Sequence, residues 1–104
     1  MTFFNRVYDL CKEIPRGKVT TYGAIAKKLN SKAYRLVGQA LRNNPNAPIV
    51  PCHRVVNFKG EIHGFGGETK GEKLDEKAEL LKGEGVRVKE GRVLDFEKFL
   101  HKFE

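Results

Sequence analysis

Three prolines within eight residues near the middle of the chain limit what it can fold into. They are Pro45, Pro48 and Pro51, in residues 44–51. Proline has no backbone N–H and disfavours a helical conformation in the residue before it, so a helix cannot pass through this stretch. The sequence therefore predicts a rigid, extended connector that separates the secondary structure of the first half from that of the second.

The first segment is patterned as an amphipathic helix. Thr2 can cap its start, and apolar residues then recur at three- and four-residue spacing, which places them on one helix face: Phe3, Val7, Leu10, Cys11 and Ile14. The Pro-Arg-Gly triplet at residues 15–17 ends the helix. The pattern makes Cys11 a core residue rather than a reactive one.

Two short helices joined by a three-residue turn are predicted next. Val19, Thr20 and Thr21 can cap a helix over residues 22–29, residues 30–32 form the turn, and a second helix covers about 33–43. The second helix has an apolar stripe of Leu36, Val37, Ala40 and Leu41, with Arg35, Gln39 and Arg42 mostly outside it. This arrangement predicts a helix-turn-helix whose second helix reads DNA. An ordinary helical hairpin is the alternative.

The second half is predicted to mix short strands with one longer helix. Residues 55–58 read as a strand end that turns at 59–60, and a glycine-rich loop follows at Gly64, Gly66 and Gly67. A helix over 72–82, a hairpin over 86–94 around Glu90-Gly91 and a last amphipathic turn or two within 95–103 complete the chain. The fold class is therefore α+β, mostly helical: a winged-helix-like DNA-binding domain with a helix-turn-helix and short β-hairpin elements.

The positive charge is concentrated in the first half. The net charge is +7 at pH 7: residues 1–60 contribute +9 and residues 61–104 contribute −2. One strongly basic half indicates a surface for a polyanion, either nucleic acid or an anionic membrane. A solvated basic surface with no partner is the alternative, but together with the helix-turn-helix pattern the charge favours DNA.

Several classes of protein are excluded. No apolar run approaches the ~18–20 residues of a transmembrane helix, and the N-terminus carries charges where a signal peptide needs an apolar stretch. We therefore expect a soluble, intracellular protein of the cytoplasm and nucleoid, or of the nucleus in a eukaryote. Two cysteines without a CxxC motif, and three histidines, indicate neither a disulfide framework nor a structural zinc site, so no metal is expected.

The stretch Pro51-Cys52-His53-Arg54-Val55-Val56 is the most informative part of the sequence. A thiol attacks as the thiolate, which requires a base or a positive field nearby. His53 is a candidate base and Arg54 supplies a cation. From the residues alone, Cys52 is a possible activated nucleophile. Adjacent Cys and His also occur by chance, so a cysteine with no catalytic role is the alternative.

This stretch, taken with its surroundings, resembles the alkylguanine-DNA alkyltransferases (methylated-DNA–protein cysteine methyltransferases). PCHRVV follows a helix-turn-helix and an Asn-Pro segment and precedes a Gly-Phe-Gly-Gly loop, and the segments IPRGKVTTYGAIA, RLVGQALRNNP and KAELLKGEG occur in the family's order. The resemblance runs from Phe3 to about Val88 and is to the family's C-terminal active-site domain.

The resemblance implies a single-use repair reaction that needs no cofactor. Cys52 is the thiolate that takes an alkyl group from the exocyclic oxygen of guanine by in-line displacement. His53 removes the thiol proton through a water molecule, and Glu84 orients His53, by the logic of a hydrolytic triad. Tyr22 donates to the flipped base and protonates the leaving guanine.

It also implies a partner, namely double-stranded DNA containing an alkylated guanine. The protein is expected to be a monomer with no membrane partner. The reader helix enters the minor groove, and Arg35 fills the space left by the extruded nucleotide, with Tyr34, Gln39 and Arg42 as further DNA contacts. Asn44 ties the reader helix to the active-site turn, and Arg54 organises that turn. The guanine pocket consists of the carbonyls of Cys52 and Val55, the ring of Phe65 and the amide of Gly66.

The sequence departs from the family pattern at three points. The family's N-terminal domain is missing, so residues 1–104 are expected to form a single domain. The loop after Gly67 is longer than in typical relatives, which weakens the alignment of Glu84. His63 lies beside the predicted pocket and could narrow tolerance for bulky alkyl groups, or it could be an exposed loop histidine.

Two other functions remain open. An alkyltransferase-like damage sensor flips the base without repairing it, but such relatives typically replace the cysteine, often with tryptophan. A plain helix-turn-helix regulator would bind DNA by sequence, with Cys52 in a structural role.

Overall fold

The computed structural model describes residues 2–44, 49–62 and 72–103. Five helices, one 3-10 turn and four short strands follow one another in those stretches: α1 Phe3–Glu13, β1 Thr20–Thr21, α2 Tyr22–Lys28, α3 Tyr34–Arg42, the 3-10 turn Cys52–Arg54, β2 Val55–Val56, α4 Glu72–Gly83, β3 Val88–Lys89, β4 Arg92–Val93 and α5 Phe96–Phe99. The architecture is the predicted α+β, mainly helical one, and the helix boundaries lie within one or two residues of those expected.

Helix α1 begins and packs as its sequence predicts. The Thr2 hydroxyl accepts a hydrogen bond from the backbone N–H of Asn5 at 3.1 Å, which satisfies one of the free donors at the helix start. Val7, Leu10 and Cys11 face the core, and Cys11 is fully buried. The prediction that Cys11 fills the core is confirmed.

Helices α2 and α3 form the predicted helix-turn-helix. The Thr21 hydroxyl caps α2 by accepting from the Ala24 N–H at 3.0 Å, and α3 packs against both α1 and α2. The buried face of α3 consists of Val37, Gly38, Ala40 and Leu41. The assignment of Leu36 to that face is wrong, because its side chain is 43% exposed. Leu36 lies at the edge of the buried face, whose centre includes the small residues Gly38 and Ala40.

Two strand pairs join distant parts of the chain. β1 runs parallel to β2, with Thr20 opposite Val55 and Thr21 opposite Val56, so the strand that leads into α2 lies beside the strand that follows Cys52. β3 and β4 form the predicted antiparallel hairpin. At its turn Glu90 and Gly91 both have positive φ (+52° and +76°), the conformation that the two-residue turns of hairpins require.

The C-terminal segment returns to the first strand. After the single turn of α5, the Phe99 carbonyl accepts from the Val19 N–H at 2.8 Å, and the His101 N–H donates to the Val19 carbonyl at 2.7 Å. The C-terminal segment therefore pairs with Val19, the residue just before β1.

Two hydrophobic clusters flank the β1–β2 pair. The first joins α1, α2 and α3 to the segment around Cys52: Val7, Leu10, Cys11, Ile14, Tyr22, Ile25, Ala26, Val37, Ala40, Leu41, Val50 and Val55. The second lies under α4 and the hairpin: Val19, Val56, Ile62, Leu81, Val86 and Val93. No described helix has both the length and the apolar character needed to cross a bilayer.

Candidate active site

Cys52 opens a tight turn between the proline-rich connector and β2. Its backbone N–H donates to the Val50 carbonyl at 2.8 Å, and the Arg54 N–H donates to the Pro51 carbonyl at 3.0 Å. The thiol is free and half-buried, packed against the first hydrophobic cluster, whereas the thiol of Cys11 is fully buried. Of the two cysteines, Cys52 is the one a reagent can reach.

Asn44 connects the end of α3 to this turn. Its side-chain amide donates to the Val50 carbonyl at 2.8 Å, two residues before Cys52. The resemblance implied a link between the reader helix and the active-site turn, and this hydrogen bond joins a residue just beyond α3 to the segment that enters the turn. Residues 45–48 of the predicted proline-rich connector lie outside the described residues.

His53, the residue after the thiol, is 4% exposed and contacts a carboxylate from the other half of the chain. Its Nε2 lies 3.0 Å from Oε2 of Glu84, which follows the end of α4. The same carboxylate accepts two hydrogen bonds from Arg54, Nε to Oε1 at 2.9 Å and Nη2 to Oε2 at 2.6 Å. The third donor of Arg54, Nη1, binds the Ile14 carbonyl at 2.8 Å.

Glu84 is ionised in this setting. Burial alone would raise its pKa, but the hydrogen bonds from Arg54 and His53 outweigh burial and lower the pKa from 4.5 to about 2. An ionised carboxylate accepts hydrogen bonds only, so Nε2 of His53 must carry the hydrogen in the contact with Glu84.

In its neutral form, His53 therefore has its lone pair on Nδ1. Burial lowers its pKa below 6.5, and although the hydrogen bond to Glu84 raises the pKa, the positive charges of Arg54 and Lys77 add to the lowering. Nδ1 is buried and has no hydrogen-bond partner among the described residues. The side chain can therefore accept a proton at Nδ1 near neutral pH.

Tyr22 lies beside the same thiol at the start of α2, with 7% of its surface exposed. Burial and the proximity of Cys52 raise its pKa to about 12, while the positive charge of Arg42 acts in the opposite direction. The hydroxyl therefore remains protonated at neutral pH. It can serve as a hydrogen-bond donor and, to an oxyanion, as a proton donor.

Lys77 is a member of the site that sequence reasoning missed. From α4 its ammonium donates to the Val55 carbonyl at 2.8 Å, the carbonyl that the resemblance placed in a substrate pocket. The available signal was spacing: Lys77 precedes Glu84 by seven residues, two helical turns, and so lies toward the same side of α4.

The outer face of α3 carries the residues expected to meet DNA. Tyr34, Arg35, Gln39 and Arg42 are all exposed, Tyr34 by 47%. The ring of Tyr34 covers Gly23 in the first turn of α2, where a β-carbon would lie 3.7 Å from Tyr34 Cε1. Arg42 connects this face to the thiol site through its effect on Tyr22.

The predicted glycine-rich loop, with His63, Phe65 and Gly66, lies outside the described residues. Within residues 2–44, 49–62 and 72–103, no group of three His, Cys, Asp or Glu side chains is arranged to hold a metal ion.

Comparison with known sequences gives one consistent family. Residues 2–86 match the family model described as 6-O-methylguanine DNA methyltransferase, DNA binding domain. The chain is 48% identical over 84 residues to a methylated-DNA–protein-cysteine methyltransferase of Methanosarcina acetivorans, a match that covers 80% of this chain and 51% of that protein. A DNA base-flipping protein of Vibrio parahaemolyticus is 39% identical over 89 residues, covering 85% and 84%. The chain spans about half the length of the curated methyltransferases that it matches.

Among solved structures of similar fold, one is matched over nearly its whole length and another over half. The fold is similar to that of Schizosaccharomyces pombe Atl1 in complex with damaged DNA containing O6-carboxymethylguanine, with a TM-score of 0.83 and 33% identity over 97% of this chain and 95% of that chain. It is also similar to Mycobacterium tuberculosis OGT in complex with DNA, with a TM-score of 0.69 and 39% identity over 81% of this chain and 50% of that chain.

Proposed function

The chain belongs to the family of the 6-O-methylguanine DNA methyltransferase DNA-binding domain, and we propose that it repairs alkylated guanine in duplex DNA by transferring the alkyl group to Cys52. One observation carries the proposal: the accessible thiol directly precedes a buried neutral histidine that is held by an ionised Glu84. The arrangement leaves Nδ1 of His53 without a hydrogen-bond partner among the described residues, one residue from the thiol that needs a base.

The reaction follows from the donors and acceptors in place. His53 Nδ1 accepts the thiol proton through a water molecule, leaving a thiolate. The sulfur attacks the alkyl carbon, a carbon–sulfur bond forms, and the bond from carbon to the guanine oxygen breaks. Tyr22 gives its proton to the departing guanine and is reprotonated from His53, so the net result is the transfer of one proton from the thiol to guanine. The product is a thioether, which the site cannot reverse, and each molecule acts once.

The proposed substrate is a guanine within bound duplex DNA. A guanine inside the duplex cannot be attacked in place, so it must leave the base stack first. Arg35, on the exposed face of α3, fills the gap, and Tyr34, Gln39 and Arg42 hold the strand around it. The net positive charge of the first half supports this assignment because phosphate contacts dominate DNA affinity.

The remaining assignments complete the same proposal. Residues 1–104 act as one active-site and DNA-binding domain, with Asn44 and Arg54 supporting the turn. The proposed guanine pocket consists of the carbonyls of Cys52 and Val55, together with the ring of Phe65 and the amide of Gly66, two residues that lie outside the described ones.

A second function is suggested by two of the similar proteins. One is a DNA base-flipping protein of V. parahaemolyticus, and the other is S. pombe Atl1, which was solved in complex with damaged DNA. A sensor that flips the damaged base without repairing it is therefore the alternative. The presence of Cys52 next to His53 favours repair over this alternative.

One experiment separates the two functions. The chain is incubated with duplex DNA containing O6-methylguanine, and its peptides are analysed by mass spectrometry. Repair predicts one methyl group on Cys52 and none on Cys11, the internal control, and no methyl group in a Cys52→Ser variant. Tight binding to the damaged duplex without an adduct would establish the sensor instead, and the absence of both would reject the proposal.

A further inference from the structure

We propose that the turn at residues 57–60 is a second DNA-contacting element, in which the Phe58 ring packs against a base or deoxyribose of the strand that α3 distorts, and Lys59 pairs with a neighbouring phosphate. The inference rests on the proposed DNA binding and adds a contact outside the helix-turn-helix. It identifies a surface that favours distorted or unpaired DNA over a regular duplex.

Phe58 is the most exposed aromatic residue among the large hydrophobic residues of the described structure. Its side chain is 78% exposed, although it directly follows Asn57 and the fully buried strand β2. A single exposed apolar residue is common on protein surfaces and proves nothing by itself. Its rigidity, its position and its neighbouring charge are what distinguish Phe58.

The turn that presents Phe58 is rigid. The Asn57 side-chain oxygen accepts from the backbone N–H groups of Lys59 and Glu61, both at 2.9 Å, and the Gly60 N–H donates to the Asn57 carbonyl at 2.9 Å. Gly60 has φ of +79°, and a β-carbon there would lie 3.1 Å from the ring of Phe96. The backbone under Phe58 is therefore fixed before any ligand binds, which reduces the entropy cost of a contact.

The strand register places this turn at the edge of the DNA-binding surface. β1 and β2 are parallel, with Thr21 opposite Val56, so the residues that leave both strands emerge at the same edge. β1 leads into the first turn of α2, where Gly23 is covered by Tyr34 at the start of α3. Phe58 follows β2 by two residues, as Gly23 follows β1, so the two segments leave the paired strands in the same direction.

The charge around the turn suits a polyanion. The Lys59 ammonium lies 5.7 Å from the centre of the Phe58 ring, so a cation and an aromatic face are presented together. Glu61 is the acidic side chain within the turn, and its carboxylate accepts from the Asn57 amide at 2.9 Å and faces Arg92 at 3.9 Å. Its charge is thereby partly offset. Base–aromatic stacking and phosphate pairing are the two terms by which proteins hold single-stranded or distorted nucleic acid.

The test compares Phe58→Ala and Lys59→Ala with exposed controls on the acidic half, Leu80→Ala and Lys102→Ala. Affinity for a duplex containing O6-methylguanine is measured over a series of salt concentrations. Phe58→Ala should weaken binding about fivefold or more without changing the salt slope. Lys59→Ala should reduce the slope of log affinity against log salt by about 0.9. The two controls should bind like the wild type.

A fluorescence measurement reports the contact directly. The chain has no tryptophan, so a Phe58→Trp variant contains a single indole, which should be quenched when DNA saturates the protein because a base stacks on it. If wild-type protein binds DNA while Phe58→Ala and Lys59→Ala bind equally well and the indole is unaffected, the turn is not a contact and the proposed function stands. If the wild type binds no DNA, both proposals fail.

Discussion

Arg54 and Glu84, thirty residues apart in sequence, form a two-point ion pair, with Nε to Oε1 at 2.9 Å and Nη2 to Oε2 at 2.6 Å. Because Oε2 of the same carboxylate also binds His53, the guanidinium fixes the orientation of the base without touching it. Arg54 is in this sense a positioning residue. Its third bond, to the Ile14 carbonyl, anchors the network to the end of α1.

Replacement of Arg54 by Gln should slow alkyl transfer and destabilise the fold by about 3 kcal/mol, because Glu84 would keep a buried charge with one partner fewer. Arg54→Lys should recover part of the stability but less of the rate, since an ammonium cannot bind both oxygens in the fixed geometry of a guanidinium. Single-turnover transfer rates and thermal unfolding would be measured on both variants. Equal rates in the wild type and Arg54→Gln would contradict the positioning role.

The pKa of Glu84 makes stability depend on pH in a predictable direction. Its pKa is about 2 in the folded protein against 4.5 when unperturbed, so the ionised form favours folding. The contribution is complete above pH 4.5 and is lost as pH falls toward 2. The unfolding temperatures of the wild type and Glu84→Gln should therefore converge as the pH falls through this range, and a constant difference would contradict the assignment.

The parts of this site that could be read from the sequence are those that lie together in the chain. Cys52, His53 and Arg54 are adjacent, and their chemistry suggests an activated thiol without any structure. The helix starts at Thr2 and Thr21 were likewise predictable, because a capping hydroxyl acts on an N–H three residues away.

The contacts that could not be read are those between distant segments. No local pattern identifies Glu84 as the partner of Arg54, and its assignment depended on resemblance to a family. Lys77 was missed because its acceptor is a backbone carbonyl, so its spacing from Glu84 was the sole sequence signal that pointed to it. The error at Leu36 has a related cause: helical spacing gives the direction of a stripe but not its width, which depends on how closely α1 and α2 approach.

The depressed pKa of His53 should appear in the pH dependence of transfer. Since burial lowers the pKa of His53 below 6.5, the pH at which the transfer rate falls to half of its maximum should also lie below 6.5. Single-turnover rates on methylated duplex would be measured across this range, at constant ionic strength. A midpoint above 6.5 would indicate that Glu84, rather than burial, controls the titration.

Removal of the Tyr22 hydroxyl should lower the rate of alkyl transfer more than it lowers DNA affinity. Loss of a general acid typically costs a hundredfold or more in rate, so Tyr22→Phe should transfer slowly while binding DNA with nearly wild-type affinity. Tyr8→Phe is the matched control, because the Tyr8 hydroxyl donates to the Ala40 carbonyl at 2.8 Å within the helical core. That variant should lose about 1 kcal/mol of stability and keep its rate.

The role of Arg35 can be separated from general electrostatic attraction by the choice of substrate. A side chain that fills the space of an extruded nucleotide is needed only when the guanine starts within a base stack. Arg35→Ala should therefore slow transfer from duplex DNA far more than transfer from the free alkylated guanine base. Arg87→Ala, which removes an exposed guanidinium from the acidic half, should change neither rate appreciably. An equal loss on both substrates would mean that Arg35 supports the active site itself, because the free base has no neighbours for the side chain to replace.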